Sequence, residues 1–483
     1  MYKFKTQPYD HQQKAYDISK DAIYFGLFME MGTGKTKVTI DTIGYLEDKG
    51  EINAALILAP KGVYDNWVKK EIPAHLNDLE RWEMVRWQPN ITKSFEKELL
   101  SVISPEVRDP TKPCLFVVNT EGMSTRKLQQ VADLFVKCNP NSLVCVDEST
   151  QIKNKDAQRT KAIIRLGRKA KYRRILTGSP VTKSPLDVYS QCDFLAPSAL
   201  GFRSFFSFQS RYALLQRRIM GARSYNQIVG FQNLDELTAS LDRFTYRVLK
   251  KDCLDLPPKI YMRRNVELTR EQQNAYTQMK TLALAMLEDG EMVTTSSVLT
   301  QLMRLQQIVC GSITTDEGEV LPLANNRVAE VQSVLEEVDG KVIIWAHFRH
   351  DIQSLEAELA KTYGPRSVAT YYGDTPQSER QKIVDAFQDP NSELRYFIGQ
   401  PASGGYGITL TEANTVIYYS NSFDLEKRLQ SEDRPHRIGQ DASVTYIDLV
   451  TPNTIDEKIL QSLRKKINIA SQVLGEDIKQ WLQ

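Results

Sequence analysis

The chain has 483 residues, which at roughly 150 residues per domain allows about three structural units, enough to bury a large core without disulfide staples. Hydrophobic residues are 41%, charged residues 25% and aromatic residues 9%, which excludes a wholly disordered, collagenous or low-complexity chain. The formal charge of +2 decides nothing about partners, and the apolar runs, such as 54–60 and 142–146, fall far short of the roughly 20 residues that a membrane-spanning helix needs.

The first apolar run, 22–29, leads into Gly32-Thr33-Gly34-Lys35-Thr36 and then a helical pattern over 36–47. This is the order a phosphate-binding loop requires: glycines let backbone N–H groups converge on phosphate oxygens, and the following helix adds its N-terminal dipole. Lys35 would reach the β- and γ-phosphates of ATP and the Thr36 hydroxyl would ligate Mg²⁺. A strict G-x-x-x-x-G-K-[ST] pattern would place Gly at Met29, so a glycine-rich turn that binds nothing is the plain alternative.

Short, partly β-branched runs at 54–59, 114–118, 143–146 and 174–177 read as buried parallel strands, with helical patterns such as 125–138 between them. The strand at 143–146 ends in Asp147-Glu148. Acids at a strand's carboxyl end face the ligand crevice of a doubly wound sheet, which suits Asp147 for holding Mg²⁺ and Glu148 for deprotonating the attacking water. A solvated turn is the alternative. Between Gln151 and Arg174 there are ten Lys/Arg and one acid, so this window carries +9 and the rest of the chain 2 − 9 = −7. On a helix, Lys161, Arg165, Arg168 and Lys169 form one stripe opposite Ile163 and Leu166, either for phosphate contact or as a solvated face. The hydroxyl-rich Leu176-Thr177-Gly178-Ser179-Pro180 follows another strand.

From about 193 to 325 the pattern is mainly helical (234–243, 271–288, 297–309), interrupted by Leu256-Pro257-Pro258, which cannot continue a helix. A second strand series begins at Lys341 with KVIIWAH, SVATYY, RYFIGQ, TVIYYS and VTYIDLV. The expected fold is therefore α/β: two doubly wound parallel-sheet lobes with helical insertions and a C-terminal helix. Expected boundaries are 1–192 for an ATP-binding lobe, 193–262 for a helical protrusion and linker, 263–325 for a second protrusion, 326–452 for the second lobe and 453–483 for a brace helix. Near the end, Arg434 and Arg437 sit three apart in QSEDRPHRIGQ. On a helical turn they project from one face, where a guanidinium pair can neutralise charge on a transferred phosphoryl group once the lobes close. Surface ion pairing with Glu432 and Asp433 is the alternative. The six cysteines form no C-x-x-C pair and the five histidines show no metal-ligand spacing, so reduced thiols and no transition-metal site are expected.

MEMGTGKT (29–36), LILAPKGVYDNWVKKE (56–71), VDESTQIKN (146–154), LTGSP (176–180), LTQLMRLQQIVC (299–310), GGYGITLTEAN (404–414) and QSEDRPHRIGQ (430–440) occur in this order. The set resembles the Swi/Snf family of superfamily-two helicase-like, DNA-dependent ATPases, and its compactness is similar to phage or prokaryotic members. The resemblance implies RecA-like lobes, ATP with Mg²⁺, and a monomeric motor translocating on double-stranded DNA in the cytoplasm, or the nucleus if eukaryotic, with a protein partner for targeting. A strand-separating DNA or RNA helicase and a non-hydrolysing DNA-binding scaffold are the rival readings. The resemblance further implies that Gln12 recognises adenine, that Gly407 couples the lobes and that Gln440 closes the arginine motif. It also implies that Lys61, Thr120, Lys153, His347, Ser403 and Gly404 approach the DNA backbone. Four departures stand out: Met29, Ser149-Thr150, Gln306 and Phe423 replace residues usual in the family, and none of them removes a catalytic group.

Overall fold

The computed structural model describes residues 2–220, 223–288, 295–315, 317–404 and 408–474, which divide into two compact units. The first comprises Met1–Arg218, Tyr225–Asp255 and Ile469–Ile478; the second comprises Ile219–Ser224, Leu256–Asn468 and Lys479–Gln483. The main division falls between Asp255 and Leu256, at the start of the Leu-Pro-Pro segment.

In the first unit, strands β1 (Tyr24–Met29), β2 (Ala54–Ala59), β3 (Glu83–Arg86), β4 (Cys114–Asn119), β5 (Ser142–Asp147), β6 (Tyr172–Leu176) and β7 (Thr245–Val248) form a seven-stranded sheet in the order β3-β4-β2-β5-β6-β1-β7. Every pairing is parallel. A parallel sheet must be covered on both faces, and period-two alternation shows how these strands achieve it. Ala54, Leu56, Leu58, Val144 and Val146 enter one core, while Ala55, Ile57, Ala59, Leu143 and Cys145 enter the other. The short apolar runs without polar alternation arise because both faces are dry.

The second unit repeats the plan with β8 (Lys259–Asn265), β9 (Lys341–Trp345), β10 (Val368–Tyr371), β11 (Tyr396–Gly399), β12 (Ala413–Tyr418) and β13 (Val444–Val450). The order is β8-β13-β12-β9-β11-β10, again parallel throughout. Val342, Ile344, Ile417 and Ile447 cover one face, and Ile343, Trp345, Val416 and Tyr446 the other. The C-terminal helix Ile455–Leu474 is anchored here by Asp456 in its first turn, which pairs with the fully buried Arg327. Arg327 also donates to the carbonyl of Val309 at 3.1 Å and to Thr451 Oγ1 at 3.2 Å.

The middle of the chain is less helical than its sequence pattern indicates. The helices Leu234–Leu241, Arg270–Glu288 and Thr295–Cys310 are present. The segment also supplies an edge strand to each sheet (β7 and β8) and two separate two-stranded sheets, one of Ala213–Met220 and Arg223–Phe231 and one of Ser312–Thr314 and Val320–Pro322. Edge strands keep one side in water, so TYRV and KIYMRRN carry polar and charged residues and lack the continuous apolar run that betrays a central strand.

Asp351, in the first turn of the helix Arg349–Tyr363, is buried, and its carboxyl is pushed up to about 8 by that burial, with Arg327 and the Ser420 hydroxyl opposing. The unfolded chain ionises this group above about pH 4, whereas the folded chain keeps it neutral until about pH 8. Stability therefore falls as pH rises through that window. Calorimetry of Asp351→Asn, which cannot ionise, is expected to show a flatter decline of the thermal midpoint from about pH 5 to about pH 8 than the parent chain.

Candidate nucleotide site and arginine motif

In the first unit, β5, β6 and β1 are consecutive neighbours, so their carboxyl ends share one edge of the sheet. Beyond β1 lies the Gly32–Thr36 turn, beyond β5 the Asp147-Glu148 pair, and beyond β6 the Thr177–Pro180 turn. The sequence-predicted phosphate loop and acidic pair are thereby brought to the same rim.

Gly32 and Gly34 adopt φ of 82° and 89°, the left-handed region that glycine enters without penalty. Gly34 caps the helix Lys35–Asp48, so Lys35 and Thr36 occupy its first two positions, where backbone N–H groups and the helix dipole favour an anion. Thr33 is fully buried and its hydroxyl donates to the Glu30 carbonyl at 2.8 Å, which holds the turn. Gln12, on the helix Asp10–Ser19, is buried against this loop and donates to the Thr33 carbonyl at 3.2 Å, and the His11 ring lies 2.8 Å from the same oxygen. A Cβ at Gly34 would lie 2.1 Å from Gln12 Nε2, so Gln12 closes directly over the glycine.

Asp147 ends β5 almost completely buried. Its Oδ2 accepts the indole N–H of Trp67 at 2.9 Å and its Oδ1 accepts the backbone N–H of Glu148 at 3.0 Å. Burial raises its pKa, opposed first by the positive charge of Lys35 and then by these two hydrogen bonds. Lys35, itself only 8% exposed, thus stands as the counter-charge to Asp147. Glu148 sits at φ 48°, ψ 61°, a left-handed conformation that costs a non-glycine residue and turns its half-buried side chain out of the strand direction. One buried carboxylate, one hydroxyl, one ammonium and a helix N-terminus suit a nucleotide whose Mg²⁺ keeps several waters and takes few protein ligands.

The third turn packs on the first. A Cβ at Gly178 would meet the backbone of Met29, Glu30 and Met31 at 3.3–3.4 Å. Arg247, on β7, donates to the carbonyls of Phe28 at 3.2 Å and Gly178 at 2.7 Å, and Glu30 accepts the Lys250 backbone N–H at 2.7 Å. Sequence reasoning overlooked Arg247, Glu30 and Trp67 as supports. Arg247 lies on an edge strand some 200 residues downstream and offers no local signal, whereas Trp67 stands within the quoted 56–71 segment.

In the second unit the helix Leu425–Glu432 stops before the arginine pair, because Pro435 offers no N–H and disfavours helical geometry at Arg434. Arg434 and Arg437 therefore stand on turns, not on a helix, yet still converge: their Nη1 atoms donate to the same Ile408 carbonyl at 3.1 and 3.2 Å, and Arg437 also reaches Thr409 Oγ1 at 2.9 Å. Gln440 is buried, and its Nε2 donates to the carbonyls of Thr411 at 2.9 Å, Ala413 at 3.0 Å and Pro435 at 3.2 Å, so it holds the end of this turn in place. Glu432 is buried among Arg428, Lys259 and Tyr261 at 2.7, 3.3 and 2.8 Å, and the His436 ring lies 2.8 Å from the Pro257 carbonyl. The Arg428 guanidinium also stacks 3.5 Å over the Tyr418 ring.

Of the residues expected near DNA, Lys61 is exposed, with its backbone N–H on Glu121 at 3.0 Å. Thr120 is fully buried. Lys153 reaches Thr182 Oγ1 at 2.7 Å. His347 is half-buried; its pKa is lowered by burial and then by Lys427, and its carbonyl accepts from Gln400 at 2.8 Å. Ser403 and Gly404 belong to the short helix Pro401–Gly404, and Gly407 lies outside the described residues. In the basic window, Lys161, Arg165, Arg168 and Lys169 are exposed opposite buried Ile163 and Leu166, but the helix ends at Gly167, so Arg168 caps it and Lys169 lies on the following turn. Several of its charges are nevertheless spent internally: Arg168 on Asp193, Lys169 on Asp133, Lys171 on Glu51, and Arg174 fully buried against the Ser19 carbonyl.

Residues 25–312 match the SNF2-related domain and residues 326–439 the helicase conserved C-terminal domain. The chain belongs to the SNF2-related family. Among similar proteins are SWI/SNF-related matrix-associated actin-dependent regulator of chromatin subfamily A member 1 of Mus musculus, at 27% identity over 92% of this chain, and the Mus musculus DNA annealing helicase and endonuclease ZRANB3, at 26% over 96%. This chain spans 41% of the length of each. A solved structure, the Sulfolobus solfataricus SWI2/SNF2 ATPase core in complex with dsDNA, is similar at 23% identity and a TM-score of 0.43, covering 100% of this chain and 96% of that one. Three of the departures from the family pattern are accommodated inside the fold: Met29 is core, Ser149 donates to Gln191 at 2.6 Å, and Gln306 donates to the Asn421 carbonyl; the Phe423 ring is exposed.

Gly34→Ala combines a left-handed backbone with a clash against Gln12, and titration with a fluorescent ATP analogue is expected to show affinity reduced on the order of tenfold or more.

Proposed function

We propose that this chain is an ATPase that uses hydrolysis to translocate along double-stranded DNA. The observation that carries the reading is the gathering of the phosphate loop, the buried Asp147 and the half-buried Glu148 on one sheet edge, with Lys35 as the counter-charge to Asp147. In this reading Lys35 and the N–H groups of Gly32–Thr36 bind the phosphates, and Gln12 binds adenine. Thr36 and Asp147 would hold Mg²⁺, which would supply positive charge at the γ-phosphate, while Glu148 takes the proton of the attacking water. Arg434 and Arg437 neutralise charge on the transferred phosphoryl group, and Gly407 and Gln440 complete the coupling segments.

Double-stranded DNA is the proposed track, gripped through phosphates without base readout. Lys61, Lys153, His347, Ser403 and Gly404 form the proposed contact set, from which the fully buried Thr120 drops out, and the exposed Lys161 and Arg165 add salt-dependent affinity. Remodelling of protein–DNA or branched-DNA substrates, as in repair, is the proposed outcome, with a partner protein supplying the destination.

A coupled ATPase assay tests this. Turnover is expected to rise on adding duplex DNA and to fall on the order of 10²–10⁴-fold in Glu148→Gln, with ATP binding retained. Displacement of a triplex third strand without unwinding of a forked duplex is the translocase result; unwinding of the fork makes the chain a strand-separating helicase. DNA binding without turnover makes it a scaffold and overturns the proposal.

A further inference from the structure

Trp67 follows β2 by eight residues, and β2 is the sheet neighbour of β5, with Leu58 opposite Val146. An element leaving the carboxyl end of β2 is therefore within reach of the carboxyl end of β5. Trp67–Glu71 is a π-helical turn in which the Ile72 N–H bonds five residues back to the Trp67 carbonyl. Pro73, next in the chain, has no N–H to donate, which relieves the turn of one bond that ordinary α-helical spacing would require. Asn66 Nδ2 donates to Glu71 Oε1 at 3.1 Å across the wide turn. Its effect is to bury the indole, 1% exposed, with Nε1 directed at Asp147 Oδ2, 2.9 Å away.

An indole N–H is a donor only, rigid and uncharged. It can fix the rotation of a carboxylate without neutralising it, as a Lys or Arg in the same place would do in part. With Oδ2 held by Trp67 and Oδ1 by the Glu148 backbone, both oxygens are oriented and each keeps a lone pair. Groups that hold a ligating carboxylate in this way tune metal affinity although they never touch the metal.

We propose that Trp67 is a positioning residue for the metal-holding carboxylate of Asp147, acting through its single N–H. This rests on the reading of Asp147 as a Mg²⁺ carboxylate. The test uses the full chain with Mn²⁺ as the probe, its binding in the presence of ADP followed by electron paramagnetic resonance and ADP binding without metal followed separately. In Trp67→Phe, which keeps a buried ring and removes the N–H, the Mn²⁺ dissociation constant is expected to rise about tenfold, with metal-free ADP affinity unchanged. Trp67→His, which restores a ring N–H, is expected to recover part of the loss. Equal weakening of Mn²⁺ and metal-free ADP binding, or no change in either, overturns the proposal. If the Phe variant does not fold, benzothienylalanine at position 67, with sulfur in place of N–H at the same shape, carries the same comparison. Asp147→Asn separates the two levels: unchanged Mn²⁺ affinity there sinks the metal reading itself, whereas a loss there without one in Trp67→Phe sinks only the role of Trp67.

Discussion

The parallel direction of every strand in both sheets is the constraint from which the rest follows. Parallel neighbours need crossover helices, the helices bury both faces of the sheet, and all carboxyl ends of the strands then open on the same edge. Three segments far apart in the chain, 30–36, 147–148 and 177–180, reach one rim because β1, β5 and β6 are neighbours and run the same way. Packing supplies the scaffold, and the loops on that edge are left to carry the chemistry.

Polar groups at this rim are held in largely dry surroundings, where their charge counts for more and must be balanced. Asp147 is buried, and Lys35, the Trp67 indole and the Glu148 amide together favour its charged form against desolvation. Glu148 in the same place has a positive φ, and Gly32 and Gly34 on the neighbouring loop take left-handed conformations that other residues avoid.

The second unit achieves comparable order by different means. Arg428, stacked on Tyr418, joins Glu432 and Asp448, and Glu432 in turn meets Lys259 and Tyr261 on β8. The strand that begins just after the Leu-Pro-Pro segment is thus tied to the turn that bears Arg434 and Arg437, and His436 adds a contact to Pro257 itself. Gln440 holds the end of that turn on three carbonyls. Because Pro435 ends the helix, the two arginines owe their common direction to the shared Ile408 carbonyl and not to helical periodicity.

The sequence by itself determined the strands of both cores, the glycine-rich loop, the acidic pair and the amphipathic basic helix, because these depend on local chemistry and on a hydrophobic period that a dry, two-faced strand cannot disguise. Edge strands β3, β7 and β8 escaped it, since one side in water frees their composition. Only the tertiary structure decided that Trp67 meets Asp147, that Arg247 ties β1 to the turn beyond β6, that Thr120 is buried and that three of the ten basic residues of the +9 window, Arg168, Lys169 and Lys171, pair with acids remote in the chain. Those facts are pairings across tens to hundreds of residues, and strand order and crossover packing, not local pattern, choose which distant side chains meet.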